Sequence, residues 1–537
     1  MKTMDAEALK TAVLSGYANL ENNKEYVNNL NVFPVPDGDT GTNMSLTMQY
    51  AVKAVTETQA KGFDDLISAC ANGALMGARG NSGVILSQLL RGFSKACMGH
   101  ASLDIALSAD AFSSATKMAY KAVMKPTEGT ILTVARGMSE FAEAHHGEYE
   151  NGVDFFADVI ARGRDVLAET PKMLPVLAEA GVVDSGGSGL IFICEGILAA
   201  MKGEPVSISS EDTAHPDEDI DLDGEFDYTV DFTILTDGAK SYQKSVIDKL
   251  MKSKTGSSVN VMEKGSSIKV HILSNEPWNV MRVASAFGKL KGIRITDSIE
   301  LDESAEDEAA AAPVYDTAHT GYVIISVSPG EGLSGIMKDL GVNYIVEGGQ
   351  TMNPSTQDFM EIINNTDADN YIILPNNKNI IMAAQQTKGI TGKKVEVVES
   401  KNIPQAISAM LGFDPEASLE DNVAAMSEAM EAVSVGQVTF AVRDTSVNGS
   451  TIKEGDIIGI VGSDIVACAD NTYTVVIDVA KDLVDEDTSI LTLYYGSDVD
   501  ETDAMVLQNK LRKLYPDVDV EIYSGGQPLY YYIISAE

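Results

Sequence analysis

Before residue 205 the apolar positions recur at helical spacing. Leu9, Val13, Leu14, Tyr17, Leu20, Val27 and Leu30 mostly keep one stripe. FDDLISACANGALMGA, GVILSQLLRGFSKAC, ALSADAFSSATKMAYKAVM and GVDFFADVIARGRDVLAET also alternate as amphipathic helices, and strand signals are nearly absent. This pattern predicts an all-α bundle. Further on the period changes. DYTVDFTILT and SSIKVHILS predict strands, and SYQKSVIDKLMKS and EPWNVMRVASAFGKLKG predict helices, giving a small α+β domain. From GYVIISVS through YIVEG, NYIILPN and KVEVVES, strands alternate with helices, which implies a parallel α/β sheet. The tail, with ILTLYYG, a helix near DAMVLQNKLRKLY, and VDVEIYSGGQPLYYYIIS, adds another small α+β unit.

Two acidic stretches poor in large apolar groups, SSEDTAHPDEDIDLDG and DESAEDEAAAAPVYD, read as solvated connectors. They divide the chain into domains at 1–208, 209–316 and 317–537. The expected fold class is multidomain: an all-α helical barrel, a small α+β domain and a C-terminal α/β domain. A chain of 537 residues exceeds one core, and about two to four domains are expected. No apolar run reaches the roughly 18 residues of a membrane span, and MKTMDAEALKTAV lacks the pattern of a signal peptide. We therefore expect a cytoplasmic protein with no transmembrane segment. The net charge of −40 repels nucleic acid and anionic lipid. Any polyphosphate ligand must then be held locally, by metal ions and backbone N–H groups. Cys70, Cys97, Cys194 and Cys468 are scattered without a CxxC, and read as buried thiols.

Candidate chemistry begins in NVFPVPDGDTGTNM, Asn31 to Met44. Pro34, Pro36, Gly38 and Gly41 exclude regular helix there. A D-x-D pair in such a loop, Asp37 and Asp39, aims two carboxylates at one point, as a hard divalent cation requires. A helix is expected from Met44, capped by Thr40, Thr42 or Asn43, with its amides facing the same point. The plain alternative is an acidic turn that caps a helix and does nothing else. GARGNSG, with Asn81, Ser82 and Gly83, opens a second apolar helix and presents bare amides to an anion, though it is not a Walker A. Tight helix–loop–helix packing is the alternative here. PTEGTIL, containing Thr130, and VDSGGSGL, containing Asp184, Ser185 and Gly186, open two more helices. Four such openings in one helical domain suggest N-termini gathered at a phosphate-and-Mg²⁺ site.

These motifs are spaced as in the nucleotide-binding helical barrel (DhaL type) of dihydroxyacetone kinases. Together with EGGQTMNPST and LPNNKN they resemble the FakA family, the ATP-binding subunit of bacterial fatty acid kinase. The resemblance implies ATP-dependent phosphorylation of a fatty acid presented by a separate fatty-acid-binding protein of FakB or DegV type, giving an acyl phosphate. It implies ATP and Mg²⁺ as cofactors, and a homodimer. By this resemblance Asp37 and Asp39 hold Mg²⁺ and are catalytic. Thr40, Thr42, Asn43, Met44, Asn81, Ser82, Gly83, Thr130, Asp184, Ser185 and Gly186 line the nucleotide. The family usually has a third carboxylate upstream; this chain offers Asn29 and Asn31, so Asn31 is the expected third metal ligand. A fatty acid carboxylate is ionised at neutral pH, so its attack needs no general base.

The middle domain departs from the family. Where members read YCTEF and VHVHTN, this chain has YTVDF and VHILSN, so His271 alone remains. One imidazole does not make a zinc site, and no zinc is expected. His271 keeps a catalytic or interdomain role as an expectation, beside the alternative of a strand histidine with a local hydrogen bond. Trp278 is expected in a core. Gly348, Gly349, Gln350, Asn353, Ser355, Asn376, Asn377 and Lys378 fall at expected strand ends, where parallel sheets bind ligands. By resemblance they dock the lipid-binding partner; a small-molecule site, or loops that only satisfy their own backbone, are the other readings. Two rival functions stand at this point: a dihydroxyacetone-type kinase acting on a small substrate, and a nucleotide-binding scaffold without turnover.

Overall fold

The structure is a computed structural model. It describes residues 3–32, 37–59, 62–208, 228–235, 257–264, 267–274, 277–285, 287–297, 315–349, 352–441, 445–447, 450–453, 455–462 and 464–537. The chain forms two compact units. One joins Met1–Ser210 to Asp316–Glu537, and the other is Glu211–Tyr315.

The N-terminal part of the first unit is helical: α1 (Ala6–Asn22), α2 (Lys24–Asn29), α3 (Thr40–Glu57), α4 (Phe63–Met76), α5 (Gly80–Cys97), α6 (Ile105–Ala122), α7 (Ile131–His145), α8 (Gly152–Met173), α9 (Pro175–Ala180) and α10 (Ser185–Met201). Short polar side chains start several of them. Asp5 accepts from Ala8 N, Asp104 from Leu107 N and Asn151 from Val153 N, each supplying an acceptor that the first turn lacks. The apolar stripes meet in a shared core. Leu20, Met44, Met48, Leu86, Leu132, Met138, Phe155 and Ile160 are fully buried there, each contributing about 1.5–3 kcal/mol by leaving water. Helices α1 and α10 touch at backbone distance: a β-carbon on Gly196 would lie 2.3 Å from the Ser15 carbonyl oxygen.

The middle unit holds β1 (Tyr228–Leu235), β2 (Ser257–Lys264), β3 (Ser267–Ser274), α11 (Pro277–Ala284) and β4 (Lys289–Asp297). Its sheet runs β2-β3-β1-β4 with antiparallel neighbours. Val230, Phe232, Ile234, Ile268, Val270 and Ile272 pack on Val280 and Val283 of α11. The helix expected over EPWNVMRVASAFGKLKG stops at Ala284, and from Lys289 the chain pairs with β1 as β4. Strand β2 adds to the strands expected from the sequence, and the helix expected over SYQKSVIDKLMKS lies outside the described residues. Trp278 is a correction to the core reading: it is 65% exposed on α11.

The C-terminal part of the first unit begins with β5 (Thr320–Ser328), α12 (Glu331–Asp339), β6 (Tyr344–Glu347), α13 (Thr356–Asn365), β7 (Ala368–Leu374), α14 (Ile381–Thr387) and β8 (Val395–Val397). Its sheet has the order β6-β5-β7-β8, all parallel as expected. The unbroken apolar runs Val323–Ile325 and Tyr371–Leu374 are buried, the mark of strands covered on both faces. Helices α15 (Ile403–Leu411) and α16 (Leu419–Glu431) follow. Then come β9 (Ser434–Phe440), β10 (Thr445–Val447), β11 (Ser450–Ile452), β12 (Ile457–Val461), β13 (Asp464–Ala469), α17 (Thr472–Leu483), β14 (Ile490–Tyr495), α18 (Glu501–Leu514), β15 (Asp519–Ser524) and β16 (Tyr532–Ala536). The tail is larger than expected. Six of its strands form one sheet in the order β13-β12-β9-β16-β14-β15, with β14 and β15 parallel and the other pairs antiparallel. Of the cysteines, Cys70, Cys97 and Cys194 are buried as expected, and Cys468 is exposed.

Candidate active site

The acidic loop is shaped by the residues that precede it. Asn31 Oδ1 accepts from Asp39 N at 3.2 Å, from Thr40 N at 3.3 Å and from Thr40 Oγ1 at 2.9 Å. Asn28 Oδ1 accepts from Thr42 N at 3.1 Å, and Asn28 Nδ2 donates to Thr42 Oγ1 at 3.1 Å. These two amides cap α3 from outside its own turn, so the helix begins at Thr40 rather than Met44. Asp39 occupies the N-cap position without using its carboxylate as a cap. That carboxylate is left to turn toward Asp37, and each of the two acts on the ionisation of the other. Burial drives both toward protonation, and for Asp37 the charge of Asp39 adds to it. A hard cation reverses that balance, because it compensates both charges. Asn31, the expected third ligand, uses its side-chain oxygen here to accept the three hydrogen bonds at the start of α3.

The other openings gather around this one. Ser185 Oγ donates to Thr40 Oγ1 at 3.3 Å, joining the starts of α10 and α3. Asp184 caps α10, accepting from Gly187 N at 2.7 Å and from the backbone of Ile131, the first residue of α7. Burial pushes the Asp184 carboxyl up to about 7. Helix α5 starts against α3: Gly80, with φ +58°, lies so close to Asn43 that a β-carbon would be 2.5 Å from Asn43 Nδ2. The N-termini of α3, α5, α7 and α10 therefore converge, and their partial positive charges oppose the acidic pair.

Not every expected residue faces the convergence. Met44 is fully buried in the core. Thr130 turns its hydroxyl back to Thr127 O at 2.8 Å. Gly83 packs on Thr47, and Gly186 on Ile131. Ser82 is partly exposed in the first turn of α5. His271 lies in the other unit, on β3 opposite Asp231 of β1 and Asn260 of β2.

The C-terminal domain supplies what the motif reading missed. Asn353 Nδ2 donates to Asp39 Oδ2 at 2.6 Å. Asn379 Nδ2 donates to Asp37 Oδ2 at 2.6 Å, and Asn379 Oδ1 accepts from Asn81 Nδ2 at 3.0 Å. Both asparagines sit in loops that follow strands of the parallel sheet. The Asn353 loop is anchored by Ser355, which forms a capping box with Asp358. The Asn379 loop turns at Asn376, with φ +56°, whose amide bonds Ser326 Oγ at 2.8 Å and Val327 O at 2.7 Å. Asn377 Oδ1 then accepts from Asn379 N at 2.8 Å. Around them Thr356 N donates to Ala78 O at 3.2 Å, and Arg79 Nη1 to Asn353 O at 3.2 Å. Ala78, Val84 and Ala383 close an apolar contact, and Gln386 Nε2 reaches Ser87 Oγ at 3.2 Å. Tyr530, partly buried, has its hydroxyl pushed up by burial and by the charge of Asp37. The sequence signal was present as the asparagine-rich strand ends TMNPST and LPNNKN, but nothing in it pointed them at the bundle.

Comparison with known proteins agrees with this architecture. The FakA-like C-terminal family of fatty acid kinase matches residues 323–537, the FakA-like middle domain matches 225–303, and the DAK2 domain matches 34–199. Protein YloV of Bacillus subtilis is 39% identical over 551 residues, covering 100% of both chains. An uncharacterized protein of Staphylococcus aureus is 38% identical over 540 residues, covering 98% of each. The chain belongs to the FakA-like family of fatty acid kinase proteins. Among solved structures, a DegV family protein from Thermus thermophilus, described by its fatty acid binding, aligns at 12% identity and TM-score 0.31, over 41% of this chain and 100% of its own. The dihydroxyacetone kinase from C. freundii in complex with AMP-PNP and Mg²⁺ aligns at 14% identity and TM-score 0.29, over 38% of this chain and 35% of its own. No helix among the described residues is long and apolar enough to cross a membrane.

Proposed function

We propose that this chain is the ATP-binding, catalytic component of a fatty acid kinase, acting with a separate fatty-acid-binding protein. The carrying observation is the pairing of Asp37 with Asp39 at four converging helix N-termini, in a chain of this family. The donor set fits Mg²⁺: hard carboxylate oxygens, and helix amides suited to phosphate. When bound, Mg²⁺ neutralises the ATP phosphates and orients them. Asp37 and Asp39 hold the cation. The first turns of α5 and α10 would offer backbone N–H groups to the phosphate oxygens, with Asn43, Asn81 and Ser185 beside them. A carboxylate oxygen of the fatty acid forms the new bond to the γ-phosphorus as the bond to the β,γ-bridging oxygen breaks. ADP leaves with that electron pair, and the product is an acyl phosphate. No proton is taken from the attacking group, so the chain needs no general base, and positioning supplies the rate. The test is transfer of label from γ-labelled Mg-ATP to a long-chain fatty acid, with and without a fatty-acid-binding partner. Labelled acyl phosphate formed only with the partner supports the reading. Transfer to dihydroxyacetone instead, or nucleotide binding without any transfer, refutes it.

A further inference from the structure

Resting on the reading that Asp37 and Asp39 hold a divalent cation, we infer that Asn353 of the C-terminal domain supplies the third protein oxygen around it. The site would then be assembled from two distant parts of the chain.

Two carboxylates alone leave most of an octahedral cation to water and phosphate. Among the described residues no third His, Cys, Asp or Glu joins the pair. Asn31, the amide expected as a ligand from the sequence, is occupied by three donors at the start of α3. Asn353 is different. It is 2% exposed, its Nδ2 lies on Asp39, and its Oδ1 has no hydrogen-bond partner among the described residues. A buried amide oxygen without a partner costs about 1–3 kcal/mol, and a native chain retains one where something else satisfies it. The terminal torsion of asparagine is broad and two-fold. A half-turn exchanges Nδ2 for Oδ1 and presents oxygen where the N–H now stands. One side chain thus serves both states: it donates to Asp39 without the cation and ligates beside Asp39 with it. Asn379 has no such freedom, because both ends of its amide are engaged, by Asp37 and by Asn81. Asn379 is a positioning residue for Asp37. The main chain of Asn353 is held by Arg79, which fixes the loop, and its Nδ2 also lies 3.5 Å from Asn43 Oδ1, a long contact that the turn gives up.

The test is Mn²⁺ binding to the full chain, alone and with AMP-PNP, followed by the electron paramagnetic resonance of the bound ion. Asn353→Ala is expected to weaken Mn²⁺ binding by about tenfold or more. Asn353→Asp, which keeps an oxygen, is expected to bind more tightly than Asn353→Leu, which fills similar volume without one. That second comparison holds even where the alanine variant folds poorly. Wild-type affinity in Asn353→Ala overturns the inference, as does tighter binding, which would make the amide a competitor of the cation. Weaker binding in Asn353→Asp than in Asn353→Leu also overturns it, leaving only a clamp on Asp39. If Asp39→Ala abolishes binding while Asn353→Ala does not, the inference fails and the kinase reading stands. If the wild-type chain binds no Mn²⁺ with or without nucleotide, both fail.

Discussion

Asn353 Nδ2 lies 2.6 Å from Asp39 Oδ2, across 314 positions of the chain. The acidic pair of the helical bundle is therefore finished by a loop of the C-terminal sheet. Helix N-termini are common, and so are acidic turns. A carboxylate pair of which Asp39 is buried and Asp37 half-buried, each member accepting from one amide of the C-terminal domain, is a much narrower arrangement. The pair lies at the carboxyl edge of the parallel sheet as well as at the helix starts, two places where ligands are commonly bound.

The carboxylates are expected to be costly to the fold and necessary to the reaction. Asp37→Asn and Asp39→Asn each keep the side-chain shape and take away an ionisable group whose charged form burial disfavours. Without divalent cation, each variant should melt higher than the wild type, by about 2 °C or more. Phosphoryl transfer should fall by at least about a hundredfold in each. Thermal melts in chelator and the labelled-ATP assay check the two halves. A variant that keeps full transfer removes that carboxylate from the site.

Asn31 separates a cap from a ligand. Its side chain satisfies Asp39 N and Thr40 N at the start of α3. Asn31→Ala is expected to cost about 1 kcal/mol of stability, read from denaturant unfolding. Asn31→Asp keeps an acceptor at the same helix end, where negative charge is favoured, and should recover most of that loss. Mn²⁺ affinity should follow stability only loosely in both. A loss of affinity in Asn31→Ala with unchanged stability would restore it as a ligand.

Much of this molecule is legible in the chain because periodicity reports burial. The bundle, the parallel sheet and the four helix openings all follow from which positions are apolar and where glycine interrupts them. The misses have separate physical origins. KLKG, the start of β4, reads as the end of a helix because a short run carries little signal beside a longer stripe. Trp278 reads as a core residue by type, although an indole can lie exposed when its helix buries the opposite face. The role of Asn353 and Asn379 is hidden for another reason. Local patterns specify which face of an element is covered, but not which distant loop covers it. That choice is made by tertiary packing, here through Ala78, Val84 and Ala383.

Gly83 tests how closely α5 must approach α3. A β-carbon there would lie 2.3 Å from Thr47 Oγ1, which is itself held by a hydrogen bond to Asn43 O at 2.7 Å. The hydroxyl has little room to yield, so Gly83→Ala is expected to destabilise the chain by about 1–3 kcal/mol. Displacing α5 also moves Asn81 from Asn379, and nucleotide affinity should weaken. Chemical denaturation and nucleotide titration measure both effects. An unaffected stability would mean that the α3–α5 contact is looser than the geometry indicates.

Asp184 gives a pH dependence with a definite sign. Burial raises its carboxyl from the ordinary 3.8 to about 7, against the opposing pull of the Gly187 and Ile131 backbone N–H groups. The folded state thus binds a proton that the unfolded state has released, at any pH between those two values. The stability contributed by the neutral form is complete below about 4 and is lost as pH rises through about 7. Asp184→Asn keeps an oxygen for the Gly187 N–H and cannot ionise. Near pH 4 the two proteins should melt together. By pH 8 the asparagine variant should be the more stable, by about 2 °C or more. Because every other acidic group is shared, the difference between the two melting curves isolates this one carboxyl. A difference that stays flat from pH 4 to pH 8 would mean that the N–H groups hold Asp184 ionised throughout, as a charged cap of α10 rather than a neutral one.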